Sequence, residues 1–380
     1  MKLRSLVGWM VSIAAVVFSY GSAIAQENSK TVNFNRGFIY TESNDAGQNS
    51  ILTYVQNSNG NLSFLSSTAS GGNGSGAALG SQGAIAFDSV QPQLLFAVNA
   101  GSNSISSFSI NDNGSLTLAH TVSSNGTLPV SLTIRNGLLY VVNSTSANIS
   151  GFTIGTGGTL TLIPGSSQPL SATNAAPAQI SFKPGRQFLF DKELVVTEKA
   201  TNKITTFPLT SDGVAEAGSS VTSANSTPFG FGFRVVDELT GFMIVTEAAA
   251  TVPNGSSVSS YSITAPPTLI SGPVQAGQSE ACWLVVSRDG RFAFVTNTGS
   301  NTISSFSIGD SGNLQILRNV AATTGDAPAD ITFSSNESYL YNINGVSHTI
   351  SEFKKGKRNT LQSIGEVTDL PANAAGLVAF

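Results

Sequence analysis

The sequence is poor in cysteine, histidine and charge, and each shortage excludes a class of site. Of the 380 residues, one is cysteine, two are histidine and 11% are charged. Because Cys282 has no second thiol for an intramolecular disulfide, side-chain packing must supply the stability of the fold. Zinc sites built on cysteine pairs are excluded for the same reason. We therefore expect no metal and no cofactor.

Clustered positive charge is also lacking. The formal net charge is −4 at pH 7, whereas proteins that bind nucleic acid carry clustered lysine and arginine for the phosphates. One basic run, KKGKR at 354–358, is interpreted as a solvated turn. We therefore expect no nucleic-acid partner.

The one long apolar run lies at the N terminus. Lys2 and Arg4 precede LVGWMVSIAAVVF, and the small residues AIA follow at 23–25. This pattern predicts a secretory signal peptide over residues 1–25, cleaved before Gln26, with an N-terminal membrane anchor as the alternative. No other stretch is long and apolar enough to span a bilayer. We expect an exported protein, periplasmic or extracellular, with no stable membrane insertion after cleavage.

What the sequence does contain is a repeat. FVTNTGSNTISSFSI at 294–308 nearly restates FAVNAGSNSISSFSI at 96–110. Each unit has an apolar run that ends in Asn or Glu, a short polar turn, and then I-S-x-F or a variant. The abundant glycine and small polar residues suit short strands joined by tight turns. The aromatic that closes each unit recurs at Tyr54, Phe108, Phe152, Phe207, Tyr261, Phe306 and Phe353.

Seven units of about fifty residues predict an all-β fold, a seven-bladed β-propeller with four-stranded blades over residues 37–380. A further strand precedes every unit except the first. The missing copy, AAGLVAF, stands at the end of the chain at 374–380. We expect this C-terminal strand to join the N-terminal blade as its innermost strand, which closes the ring and removes exposed edges. Residues 26–36 lead into this single domain, which we expect to be a monomer.

The blade geometry predicts a ring of candidate site residues. If strands A to D run outward from the channel, the ends of the B strands and the starts of the A strands share one face. Glu198 and Glu247 end the B strands of adjacent blades, and paired carboxylates can act as general acid and base because mutual repulsion separates their pKa values. We predict that both are catalytic; ligand binding without chemistry, and turn capping, are the alternatives. Predicted ligand-binding residues on the same face are Glu42, Gln179, Cys282, Trp283, Asp330 and His348.

Two nucleophile patterns also involve this face. Cys282 opens an A strand and His348 lies in a B-to-C turn of the next blade, which allows a Cys–His pair. Simple burial of a small apolar cysteine is the alternative. Asp330 and His348 also permit a serine triad, although serine is too common here to support it.

Arginine is missing from the same ring. A site for phosphate or several carboxylates favours arginine forks, so a neutral, sugar-like or cationic ligand fits this face better. The arginines of the A-to-B turns, on the opposite face, are Arg186, Arg288 and Arg291.

Three stretches resemble a known family. QSEACWLVVSRDGRFAFVTNTGSNTISSF at 278–306, TPFGFGF at 227–233 and LVVTEKATNKITTF at 194–207 are similar to the lactonase-family seven-bladed propellers, and especially to a secreted bacterial branch. That family includes bacterial 6-phosphogluconolactonases and fungal carboxymuconate-lactonizing enzymes. The resemblance spans nearly the whole mature chain and implies the same fold.

The resemblance carries the activity over only in part. Catalytic members have an Arg–His pair where an A strand starts and a Glu where a B strand ends. Here the A strands start with PAQI, PVSL and PADI, without Arg or His, and only Glu198 and Glu247 match. The resemblance therefore implies hydrolysis or isomerisation of a small uncharged or sugar-like lactone at the channel mouth. The alternative is a non-catalytic propeller that binds a small molecule, a polysaccharide or a protein.

Overall fold

The computed structural model describes residues 37–88, 93–184, 193–237 and 240–380. The predicted signal peptide, the lead-in at 26–36 and Arg186 lie outside the described residues. Within those ranges the chain forms 29 strands and two short 3-10 helices, Thr156–Gly158 and Lys357–Asn359. No helix of the described part is long and apolar enough to cross a membrane.

The strands form seven antiparallel sheets, one per blade. The strands of blades 1 to 3 are β1 (Phe38–Glu42), β2 (Ser50–Gln56), β3 (Leu62–Ala69), β4 (Ile85–Phe87), β5 (Leu94–Asn99), β6 (Ser104–Ile110), β7 (Leu116–Ser123), β8 (Pro129–Arg135), β9 (Leu138–Asn143), β10 (Asn148–Ile154), β11 (Leu160–Leu162) and β12 (Gln168–Pro169). The strands of blades 4 to 7 are β13 (Pro177–Phe182), β14 (Glu193–Glu198), β15 (Lys203–Pro208), β16 (Ser219–Thr222), β17 (Pro228–Val235), β18 (Gly241–Glu247), β19 (Ser257–Ser262), β20 (Leu269–Gln275), β21 (Ala281–Val286), β22 (Phe292–Asn297), β23 (Thr302–Ile308), β24 (Leu314–Thr323), β25 (Pro328–Phe333), β26 (Tyr339–Asn344), β27 (Thr349–Lys355) and β28 (Leu361–Val367). The last strand of the chain is β29 (Ala375–Ala379).

Blade 1 takes strands from both ends of the propeller. Its order from the channel outward is β29-β1-β2-β3, whereas the other blades follow chain order. Tyr40 of β1 pairs with Val378 of β29, and the backbone amides of Phe38 and Phe380 each donate to the other's carbonyl, at 3.0 and 2.8 Å. The predicted seven-bladed ring, closed by the C-terminal strand, is therefore confirmed. In blade 3 the outer strand is divided into β11 and β12, so that sheet has five strands.

The repeated aromatic packs between blades. Phe108, Phe152 and Phe207 are fully buried on the third strands of their blades. One core cluster joins Ile204 of blade 4 to Phe231 of blade 5. The repetition in the sequence is thus explained by a hydrophobic layer that recurs at each blade interface.

Polar contacts also join successive blades. The hydroxyl of Tyr40 donates to the carbonyl of Gly114 in the next blade at 2.9 Å, and Tyr140 donates to Gly213 at 2.6 Å. Gly114 has a φ of +83° and a Cβ there would lie 2.2 Å from the ring of Phe38, so only glycine fits this turn. These contacts fix the turns on one face of the ring.

The channel has two ends, an upper face and a lower face. The upper face carries the ends of the second strands and the starts of the inner strands. The lower face carries the turns from each inner strand to its second strand. All predicted site residues belong to the upper face, while Arg288 and Arg291 belong to a turn of the lower face.

Candidate functional site

Each second strand ends at the upper face in Asn or Glu, and in several blades this residue holds the third strand. The side-chain amide of Asn99 donates to Ser104 at 3.2 Å and to Ser106 at 2.8 Å. Asn297 and Asn344 donate in the same way to the residues five and seven positions later. The asparagine therefore ties the second and third strands together beside their connecting turn.

Glu198 occupies the equivalent position in blade 4 and is surrounded by donors. Its Oε1 accepts from the backbone amide of Ser171 at 3.1 Å and from Thr205 at 2.6 Å. Its Oε2 accepts from Thr201 at 2.7 Å and from the Ser171 hydroxyl. The residue has 0% exposure. The carboxylate thus holds the third strand as the asparagines do. It accepts four hydrogen bonds, whereas each asparagine donates two.

Glu247 repeats this arrangement in blade 5. Its Oε2 accepts from Ser257 at 2.6 Å and Ser259 at 2.8 Å, and its Oε1 from Ser223 at 3.0 Å and the Asn225 amide at 3.3 Å. Burial raises the pKa of Glu247, and these hydrogen bonds oppose that rise. The residue is also 0% exposed. Both glutamates are thus buried carboxylates whose oxygens accept hydrogen bonds from the protein itself. Their acid–base role stays a prediction.

Two further predicted site residues lie where the ring closes. Asp330 of blade 7 accepts from the backbone amide of Gly376 in β29 at 3.0 Å, and burial raises its pKa to about 7. Glu42 accepts from the side chain of Asn49 at 3.1 Å. Burial raises the pKa of Glu42 well above its ordinary value, and the charge of Asp330 adds to the rise. Both carboxylates are buried and serve the seam between the two ends of the propeller.

The glutamines of the inner ring bind backbone. The register of β17 is interrupted before Phe231 and that of β21 before Leu284, as in a β-bulge. Gln179 donates to the carbonyl of Phe231 at 3.0 Å and accepts from its amide at 2.6 Å. Gln82 makes the same pair of bonds to Leu284 at 2.7 and 3.2 Å. The side-chain amides therefore complete the hydrogen bonding that the bulges interrupt.

The segment before β4 reaches across the channel. The indole of Trp283 in blade 6 donates to the carbonyl of Ser81 at 2.8 Å, and the amide of Gln82 donates to the carbonyl of Ala178 in blade 4 at 2.9 Å. Residues 80–82 thus contact blades on the far side of the ring and cover the upper end of the channel.

One cation lies beside this cover. The amine of Lys199, which directly follows Glu198, donates to the carbonyl of Gly80. Its nitrogen lies 5.0 Å from the centre of the Phe229 ring, which packs against Trp283 with centroids 4.7 Å apart. Burial lowers the pKa of Lys199 to about 8. Lys199 is absent from the predicted site residues, although a lysine directly after a second strand is a distinctive feature in a chain with few charges.

Cys282 belongs to the same neighbourhood. It is 8% exposed, and burial raises its pKa to about 12, with a hydrogen bond from Thr298, the charge of Glu280 and the charge of Lys199 as smaller influences. The thiol is therefore protonated at neutral pH. His348 is exposed in the turn after β26, with a left-handed φ of 55°. Cys282 is thus a buried thiol, and His348 is an exposed imidazole. Their action as a Cys–His pair stays a prediction.

We call Lys199, Phe229, Glu280, Cys282 and Trp283 the lysine cluster. An amine with a pKa near 8 exists in both protonation states at neutral pH. The neutral form can take a proton from water, and the ammonium form can stabilise an oxyanion. The aromatic rings supply an apolar wall. Within the described ranges, no three His, Cys, Asp or Glu side chains are grouped to hold a metal ion.

Comparison with known proteins agrees with the fold. A family model described as "Lactonase, 7-bladed beta-propeller" matches residues 78–173 and 191–378. A search of curated proteins gives no match.

Several solved structures are similar across nearly their whole length. A "putative 6-phosphogluconolactonase" from Bacteroides uniformis is 20% identical with a TM-score of 0.69, covering 90% of this chain and 99% of its own. A periplasmic gluconolactonase from Pseudomonas aeruginosa is 16% identical with a TM-score of 0.67, covering 90% and 98%. At these identities the structures establish a shared fold and nothing finer.

Proposed function

The chain belongs to the lactonase family of seven-bladed β-propellers, and on that premise we propose that it binds a small, uncharged, sugar-like lactone beside Lys199 and hydrolyses it. The observation that carries the proposal is the amine of Lys199, which lies against Phe229 at the covered end of the channel with its pKa lowered to about 8. Similar folds in proteins named as a putative 6-phosphogluconolactonase and a periplasmic gluconolactonase support the choice of a lactone.

In the proposed reaction Lys199 acts on water. The neutral amine takes a proton from a water molecule while the water oxygen attacks the lactone carbonyl carbon. The ring C–O bond then breaks, and the ammonium returns the proton to the departing alkoxide. The product is an open-chain hydroxy acid. A base with a pKa close to the working pH is the most effective for such a transfer.

The surroundings of Lys199 favour an uncharged substrate. Glu280 lies close enough to influence Cys282, and its negative charge disfavours a phosphorylated or carboxylated lactone. Phe229 and Trp283 are buried beside the amine and make its surroundings apolar, which suits an uncharged ligand better than an anion. In this proposal Glu198 is a positioning residue, because its buried carboxylate fixes the turn that carries Lys199.

The test is turnover of a lactone panel that includes δ-gluconolactone, followed by titration of the acid released. Lys199→Met should lower kcat/KM by about 10²- to 10⁴-fold and abolish the rise of kcat/KM with pH through about 8. Lys203→Met, in the same blade, is the matched control and should leave activity unchanged. Full activity in Lys199→Met together with loss in folded Glu198→Gln and Glu247→Gln would instead support the two glutamates as acid and base.

A second candidate function is binding without turnover. It is favoured by the full engagement of Glu198 and Glu247 with protein donors, which leaves neither carboxylate open to a ligand. If no lactone is hydrolysed, calorimetry with sugars and oligosaccharides should show saturable binding that Lys199→Met weakens. Binding of equal strength in that variant would exclude the lysine cluster as the site.

We also propose that the protein acts outside the cytoplasm after cleavage of residues 1–25. The charged start, apolar run and small residues of that segment support export, as does the periplasmic location in the name of one similar structure. N-terminal sequencing of the protein from a periplasmic fraction should begin at Gln26. Recovery only in the cytoplasm with Met1 intact would refute export.

A further inference from the structure

A cavity of about 400 Å³ opens on the lower face of the ring. It lies where the inner strands of blades 6, 7, 1 and 2 end, at the other end of the channel from the lysine cluster. Its volume falls within the range of small-molecule sites, about 300–1,000 Å³. Neither the family resemblance nor the proposed lactone site uses this part of the molecule.

The walls of the cavity are mainly apolar. Phe87 and Phe380 meet edge to face, with centroids 5.7 Å apart, and Val285, Val286 and Val378 complete the wall. These five side chains are only half-buried. A ligand with an apolar body would remove this surface from water, which is favourable by roughly 25 cal/mol for each Å² covered.

The rim of the cavity is charged, and its acid is already engaged. Glu337 accepts from the backbone amide of Arg288 and lies 3.6 Å from the amine of Lys355. Lys355 also lies 4.9 Å from the centre of the Phe333 ring.

The guanidinium of Arg288, by contrast, keeps donors for a ligand. Its Nη2 donates to the carbonyl of Ser335 at 2.6 Å, and a guanidinium has five N–H donors in all. Lys355 is engaged by Glu337 and lies near the charge of Asp289, so Arg288 is the cation that can meet an anionic group at the rim. A planar carboxylate matches the fork of an arginine.

The cavity is separated from the upper face by bonds across the channel. Trp283 donates to Ser81 and Gln82 bonds to Leu284. These contacts lie directly above Val285, the first cavity residue of β21. A ligand in the lower cavity would therefore bind independently of the lysine cluster.

We propose that the lower cavity is a second binding site, for a small carboxylic acid with an aromatic or branched apolar body. The carboxylate pairs with Arg288, and the apolar body lies between Phe87, Val286 and Phe380.

The experiment compares benzoate with benzyl alcohol by ligand-observed NMR and calorimetry on the purified protein. The wild type should bind benzoate saturably and prefer it over benzyl alcohol. Arg288→Gln should weaken benzoate binding by about 10- to 100-fold and remove the preference, while Arg288→Lys should give an intermediate affinity. Arg291→Gln, in the same turn, is the matched control and should bind as the wild type does.

These binding measurements test the lower cavity separately from the lactone site at Lys199. Lys199→Met should leave benzoate binding unchanged. Absence of saturable benzoate binding, equal binding in folded Arg288→Gln, or loss of binding in Lys199→Met would each overturn the proposal. Should Arg288→Gln fail to fold, an unchanged benzoate affinity in Arg288→Lys would overturn it as well.

Discussion

The two ends of the channel use their side chains in opposite ways. At the upper face, Gln82, Gln179 and Asp330 all bind backbone groups of neighbouring inner strands. At the lower face, Phe87 and Val286 border open space. At the polar end these three side chains are thus engaged by the protein's own backbone, whereas at the apolar end the side chains border a cavity.

The difference has a physical cause in the start of the inner strands. Their register is interrupted near the upper face, as before Phe231 and Leu284, and a bulge leaves backbone groups without their ladder partners. Buried backbone groups must be bonded, so polar side chains are recruited there. A ring of polar residues at a channel mouth can therefore serve to complete backbone hydrogen bonds. An unfilled space between apolar side chains, in contrast, can accept a ligand.

The largest expected effect comes from a change that damages both ends at once. Deleting residues 374–380 removes β29, the Gly376 amide that binds Asp330, and the Phe38–Phe380 bonds. Each unsatisfied buried group costs about 1–3 kcal/mol, and several together rival a total stability of about 5–15 kcal/mol. The truncated protein should be insoluble or melt far lower, as judged by circular dichroism.

The control for this deletion keeps the strand and changes one wall residue. Val378→Ser retains every backbone bond of β29 and should lower the melting temperature far less than the truncation does. A truncated protein that melts at the wild-type temperature would show that β29 is dispensable and that the ring does not depend on its closing strand.

The next effect concerns the upper end and depends on pH. Burial raises the pKa of Asp330 from 3.8 to about 7, so the folded protein holds this proton more tightly than the unfolded chain does. The stability that this proton provides is complete below about pH 4 and is lost as the pH rises to about 7, a change on the order of 3–5 kcal/mol. Glu42, whose pKa is also raised by burial, acts in the same direction.

Asp330→Asn isolates this contribution. The variant cannot titrate at this position, so its stability should fall less between pH 4 and pH 7.5 than that of the wild type in parallel urea titrations. Identical pH profiles for the two proteins would mean that Asp330 is ionised in the fold at little cost.

The fold was predictable because its determinants are local and repeated. Phe108, Phe152 and Phe207 recur with the blades and are buried as the repeat requires. The missing first inner strand and the surplus strand at 374–380 together specify the closure. Such features can be read from spacing alone.

The partners of the candidate site residues were not predictable in this way. Gln179 bonds to Phe231, 52 residues later, and Lys199 bonds to Gly80, 119 residues earlier. These pairs depend on bulges and on a connecting segment that crosses the channel, which leave no periodic signal in the sequence. Residue type placed the polar groups on the correct face, but only the fold shows what each of them binds.

A smaller effect sharpens the comparison from the upper end. Gln179→Ala leaves the amide and carbonyl of Phe231 without their side-chain partners, and the half-buried site admits some water. We expect a loss of about 1–2 kcal/mol in the free energy of unfolding. Gln315→Ala, on the exposed face of β24, is the control and should change stability by less than about 0.5 kcal/mol. A loss no larger than that of the control would mean that the glutamine bonds do not stabilise the ring.

The smallest effect is expected at the lower end, from Val286→Ala. Val286 is half-buried beside open space, so the change removes two methyl groups that make few contacts on the cavity side. Because buried aliphatic truncations cost more when the lost groups were fully packed, the loss here should be under about 1 kcal/mol in urea unfolding. The same change enlarges the cavity and should weaken benzoate binding, since the apolar body loses part of its wall. A stability loss above that of Gln179→Ala would show that the lower end is packed as tightly as the core, and the contrast between the two ends would no longer hold.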